Sequence, residues 1–125
     1  MRILRVLTAA GLSATLLSSS ALAAGDAGHG KTVFERCAIC HVVVKGGPNG
    51  IGPNLFGVVG RKAGTAPQFN YSDAMKNSGI TWTPDKLAAY VHQPQAVVPG
   101  NRMAFAGITS KQDVDDVVTY LQTLK

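Results

Sequence analysis

Residues 37–41 read Cys37-Ala38-Ile39-Cys40-His41. Two thiols three residues apart, followed at once by an imidazole, form the C-x-x-C-H pattern of c-type haem attachment. The chemistry accounts for the spacing. One thiol adds to each of the two haem vinyl groups, and the adjoining His41 is carried beneath the ring, where its imidazole can bind iron. Two blander readings compete. A thioredoxin-like dithiol requires a strand–helix–strand setting, and no such pattern surrounds these residues. A plain disulfide loop, which an oxidising compartment would allow, leaves His41 unexplained.

The next question outward from the motif is the second axial ligand. A haem iron held by two strong protein ligands passes electrons, whereas an open position permits gas binding or chemistry. Met103 lies in Val97-Val98-Pro99-Gly100-Asn101-Arg102-Met103-Ala104-Phe105, an extended stretch punctuated by Pro and Gly. A methionine on a helix usually fills a core. One set among turn residues has less reason to, so Met103 is the expected sixth ligand. Met75, in the short helical segment Ser72-Asp73-Ala74-Met75-Lys76-Asn77, is expected to pack. His29, in a Gly-rich stretch, and His92, near a helix end before Pro94, are expected to be solvated.

The N-terminus points to export. Arg2 and Arg5 form a basic start, Val6 to Leu17 is apolar, and Ser18-Ser19-Ser20-Ala21-Leu22-Ala23 ends on an Ala-x-Ala site. This is the pattern of a secretory signal peptide cleaved after Ala23. Its apolar run is shorter than the roughly 20 residues of a membrane span. The expected organisation is a signal peptide over 1–23 and a single domain over 24–125, exported to the periplasm. Loss of Arg2 and Arg5 lowers the formal charge from +5 to +3. That mild basicity argues against nucleic acid, which needs a dense basic patch. It suits steering toward an acidic protein surface. With 125 residues, 46% of them apolar and 15% charged, the chain allows one domain and excludes wholesale disorder. Two cysteines exclude both a disulfide-dense scaffold and a four-cysteine zinc site.

The rest of the chain reads as short helices and long loops. A first helix is expected over about Ala27–Cys40, with Val33 and Phe34 on its apolar face and Gly28 and Gly30 open to close helix packing. Residues 42–71 are rich in Gly, Pro and Asn and read as loops. A short helix follows from Ser72 and stops at Gly79. Thr83-Pro84 is a helix start with Thr as cap and Pro at the first position; Leu87, Tyr90 and Val91 form its face and Pro94 ends it. The last helix starts after Ser110, with Asp113 three residues on as a near capping box. Asp113, Asp115 and Asp116 suit its N-terminal dipole. Val114, Val117, Val118, Leu121 and Leu124 fall on one face. So small an all-α chain buries little core alone, and the apoprotein is expected to be poorly folded.

From Gly30 to Leu124 the sequence closely resembles class I cytochrome c, of the mitochondrial and alphaproteobacterial soluble type. The resemblance rests on the haem motif, Gly46-Gly47, Gly52-Pro53-Asn54-Leu55, Gly57-Val58-Val59-Gly60-Arg61-Lys62 and Phe69-Asn70-Tyr71-Ser72-Asp73-Ala74. Gly79-Ile80-Thr81-Trp82 and Pro99-Gly100-Asn101-Arg102-Met103-Ala104-Phe105-Ala106-Gly107-Ile108 complete it, in order and spacing. It implies an all-α class I cytochrome c fold, with short helices and loops wrapped around one covalent haem c. Cys37 and Cys40 match the thioether cysteines, and His41 and Met103 the axial ligands. The Pro53 carbonyl matches the acceptor of the His ring N–H. Arg61, Tyr71 and Trp82 match groups around the haem propionates, and Tyr90 and Asn101 side chains near the Met sulfur. Phe105 matches the aromatic at the exposed haem edge, and Gly30 and Tyr120 the crossing of the first and last helices. Arg36, Lys45 and Arg102 fall among the basic residues that ring that edge.

The resemblance further implies a soluble one-electron carrier and no enzyme. Its donor is expected to be a quinol–cytochrome c oxidoreductase or a periplasmic dehydrogenase. Its acceptor is expected to be a terminal oxidase or a photosynthetic reaction centre. Docking should be transient and electrostatic, by a monomer. The alternative is a haem protein with a labile sixth ligand, acting as peroxidase or gas sensor. Two departures from the family pattern stand out: Met75 replaces a frequent Asn, which should alter the potential, and Gln68 replaces a usual Gly.

Overall fold

The computed structural model describes residues 25–125; the expected signal peptide and the Ala23 cleavage point lie outside them. Five helices follow in order: α1 Ala27–Ala38, α2 Asp73–Lys76, α3 Pro84–His92, α4 Pro94–Val97 and α5 Lys111–Gln122. Among the described residues there is no strand, only an isolated antiparallel bridge between Lys62 and Thr81. No helix among them is long and apolar enough to cross a membrane.

Each main helix starts where a side-chain oxygen can take up a free amide. Asp26 accepts from the His29 amide, Ser72 from Met75, Thr83 from Lys86 and Ser110 from Asp113. Pro84 occupies the first turn of α3, where its missing N–H costs nothing. The capping box at Ser110 is only half formed: the Asp113 carboxylate turns instead to Arg36 of α1, 3.4 Å away. Helix α1 ends two residues before the expected Cys40, because the chain turns there and both Cys40 and His41 donate to the Cys37 carbonyl.

Helices α1 and α5 cross, and α3 packs against α5. At the crossing Gly30 is required, since a Cβ there would overlap the Asp116 carbonyl oxygen. Gly28, expected to share that role, is exposed, and the helices do not meet over it. The Phe34 and Tyr120 rings close the contact, 5.4 Å apart between centroids. Val114, Val117, Val118 and Leu121 are buried as the periodicity predicts. Leu124 lies beyond the helix, and its carbonyl receives the Gly57 amide at 2.8 Å.

Two readings change at this crossing. Asp116, read as a partner of the helix dipole, lies past the first turn of α5 and is 2% exposed. Its carboxylate accepts from the Asp26 amide, the Gln112 side chain and His29 Nδ1, each at 2.7 Å. His29 is therefore half-exposed but tied across the helix pair, not simply solvated. The carboxylate raises the pKa of His29, and the backbone and imidazole donors lower that of Asp116.

Candidate functional site: a cavity between the Cys-His turn and the Met103 loop

All ten residues singled out as site candidates border one cavity of about 810 Å³. Cys37 and Cys40 stand at the end of α1 with both thiols free. Burial raises the pKa of Cys37. The turn that follows folds back on itself: the Gly52 amide reaches the Cys40 carbonyl at 2.8 Å and the Leu55 amide reaches Val42 at 2.9 Å. Local bonds thus place His41 against residues 52–53.

There the imidazole is fixed in position and in protonation. Its Nδ1 lies 2.8 Å from the Pro53 carbonyl. A carbonyl can only accept, so Nδ1 carries the hydrogen and the other ring nitrogen, Nε2, keeps its lone pair. A Cβ on Gly52 would come within 2.9 Å of three ring atoms, so only glycine lets the ring lie there. Burial lowers the His41 pKa, against the opposing effect of the Pro53 hydrogen bond. The ring is held neutral, the form that binds a metal.

Met103, on the loop after α4, lines the same cavity. Asn101, 8% exposed, organises that loop. Its amide group donates to the Pro94 and Val98 carbonyls at 3.1 and 2.9 Å, and its side-chain oxygen accepts the Met103 amide at 2.9 Å. The Tyr90 hydroxyl stands 4.0 Å from the Met103 sulfur, and burial pushes its pKa up to about 12. Tyr90 therefore stays a neutral donor. Its ring packs on Trp82, 4.9 Å between centroids.

Arg61 and Tyr71 complete the rim. The Arg61 guanidinium donates to the Asn54 carbonyl at 3.0 Å, and the Tyr71 hydroxyl accepts from the Ala66 amide at 3.0 Å. The Trp82 and Arg61 backbones are paired at 2.9 Å, which brings these two side chains to the same wall. Phe105 borders the mouth, as do Arg36 and Arg102, whereas Lys45 does not. Met75 is buried as its helical setting predicts, and it also faces the cavity. His92 lies elsewhere: its Nδ1 donates to the Ile108 carbonyl at 2.7 Å, so it fastens α3 to the end of the Met103 loop.

Two features were not foreseen. Pro94 ends α3 but also opens α4, because the same fixed φ and missing N–H suit both places. Gln95 in that turn grips the loop, accepting the Gly100 amide at 3.2 Å and donating to the Asn101 carbonyl at 3.0 Å. Nothing in the local pattern of a Gln in a polar stretch marks this.

The cavity fits haem c on the chemistry of its donors. It offers two free thiols, a neutral imidazole with its lone pair available and a thioether, in walls that are mostly apolar. Its volume lies in the range of pockets that enclose a cofactor.

Comparisons with known proteins agree. Residues 27–125 match the family profile Cytochrome c. The chain is 50% identical over 111 residues to cytochrome c2 of Rhodomicrobium vannielii, covering 89% of each chain. It is 44% identical over 112 residues to cytochrome c2 of Blastochloris viridis, covering 90% of this chain and 88% of that one. In structure it resembles cytochrome cH from Methylobacterium extorquens with a TM-score of 0.75 and 44% identity, over 79% of this chain and 99% of that one.

Proposed function

The chain belongs to the cytochrome c family, as a class I member with a covalently bound haem c, and from that we propose a soluble, exported one-electron carrier whose iron is held by His41 and Met103. The observation that carries the reading is one cavity bordered both by the Cys-x-x-Cys-His turn and by the Met103 thioether. Bound haem supplies an iron that takes up and releases one electron.

The protein's own residues do the rest. Cys37 and Cys40 anchor the ring covalently through their thiols. The Pro53 carbonyl fixes the tautomer of His41 and raises its basicity as a ligand. Tyr90 donates toward the Met103 sulfur, and Asn101 holds the Met103 backbone in place. Arg61, Tyr71 and Trp82 offer a cation and donors to the propionates, whose charge is otherwise costly in so apolar a cavity. Two strong ligands leave no position for substrate, so little rearranges on electron transfer and no chemistry follows.

The N-terminal pattern supports cleavage after Ala23 and a periplasmic location. The cytochrome c2 relatives support a membrane quinol–cytochrome c oxidoreductase or a periplasmic dehydrogenase as donor. They support a terminal oxidase or a reaction centre as acceptor. Arg36 and Arg102 at the cavity mouth favour an acidic docking surface and a salt-sensitive encounter. Met103→Ala tests the ligand assignment. It should lower the reduction potential and open the iron to carbon monoxide; a variant unchanged in both would remove Met103 from the coordination sphere.

A further inference from the structure

The Met103 loop is held at its base by Asn101 and Gln95, both from its own neighbourhood. It is also tied across the cavity mouth. Arg102, the residue before Met103, donates from its guanidinium to the Asn70 carbonyl at 3.3 Å, 32 residues away in the chain. Both Arg102 and Asn70 border the cavity. The same loop runs close to α2 at Gly100, where an added Cβ would come 3.4 Å from the Ala74 methyl. The loop that carries the sulfur is therefore fastened to the 70–74 segment by one charge-assisted hydrogen bond, where the two backbones run close together. Among the described residues Arg102 pairs with no carboxylate.

We propose that Arg102 is a positioning residue, a strap that holds the Met103 loop shut against the 70–74 segment and so keeps the thioether at the iron. This rests on the reading of Met103 as the axial ligand. An external ligand reaches the iron only after the sulfur leaves, and the sulfur leaves with its loop. Each opening must break the bond from Arg102 to Asn70. Hydrogen bonds with one charged partner are worth more than neutral ones, though exposure weakens this one. Its loss should make opening several-fold easier without unfolding the domain. Arginine suits the place because its planar fork holds a carbonyl with less freedom to lose than a lysine stem.

The test uses the oxidised holoprotein and imidazole as the external ligand. Binding is followed by loss of the iron–sulfur charge-transfer band. Arg102→Gln should bind imidazole about three- to tenfold more tightly than the parent. Arg102→Lys, which keeps a donor and the charge, should restore most of the parental affinity. Lys76→Gln removes an exposed cation from α2, where its partner is Asp73, and should leave imidazole binding unchanged. Arg102→Gln within twofold of the parent would overturn the strap. So would an equal shift in Lys76→Gln, since the effect would then follow net charge. A parent protein without the charge-transfer band would instead sink the Met103 ligation itself, and that is read before any variant is compared.

Discussion

At the α1–α5 crossing, protein meets protein directly: Gly30 lies against the Asp116 backbone, and the buried Asp116 carboxylate gathers three donors from both helices. At the Met103 loop, a stretch with no regular structure is shaped by side-chain amides, and its sulfur faces a cavity. The first region is complete without haem. The second borders the cavity whose donors fit haem c. Stability and redox chemistry are thus separated in one small chain, and changes in the two regions should be told apart by different observables.

Gly30→Val should have the largest effect, and it should fall on the crossing alone. The branched side chain cannot enter the crossing without parting the helices, at about 3 kcal/mol or more. The denaturation midpoint should fall steeply, while the iron–sulfur band persists until the protein unfolds. Asn101→Ala should do the reverse. It removes two buried donors and one acceptor from the loop, at about 2 kcal/mol. The iron–sulfur band should weaken well before global unfolding. If both variants lose band and fold together, the two regions are one cooperative unit.

A third change probes neither region and sets the baseline. Gln68 holds φ at 60°, in the left-handed region where a side chain is strained. Gln68→Gly should stabilise the protein by about 1 kcal/mol in a denaturant titration, with spectrum and imidazole affinity unchanged.

The smallest effect is a pH slope confined to the crossing. Asp116 raises the pKa of His29 above its ordinary 6.5. That contribution is whole below 6.5 and fades as pH rises through the raised value. Asp116 is shifted down, so its contribution is present above the ordinary carboxylate value of 3.8 and is lost as pH falls through the lowered one. Stability should therefore be greatest between those limits and decline on the alkaline side. His29→Gln should flatten the alkaline decline while leaving the optical spectrum alone.

What was legible in the sequence follows the same division, but not neatly. The haem motif and the Met103 loop could be read because their chemistry demands particular residue types at fixed spacing. Thr83-Pro84 and Ser110 could be read because a cap acts within three residues. Asp116 could not: three aspartates early in a helix look alike, and which one is buried depends on the helix that crosses there. Gln95 and the strap from Arg102 were hidden for the same reason, since both work by holding backbone groups, and a backbone carbonyl leaves no mark on the sequence. Gly28 and Gly30 likewise differ only in which side of α1 meets α5.

In the proposed carrier His41 and Met103 together close both axial positions of the iron. Visible spectra of the purified holoprotein test it most directly: oxidised, dithionite-reduced, and reduced under carbon monoxide. His41/Met103 ligation should give sharp low-spin bands in the reduced protein that carbon monoxide does not move, and an iron–sulfur charge-transfer band in the oxidised one. A shift under carbon monoxide would contradict it, showing an open or weakly held sixth position and a protein built to bind ligands.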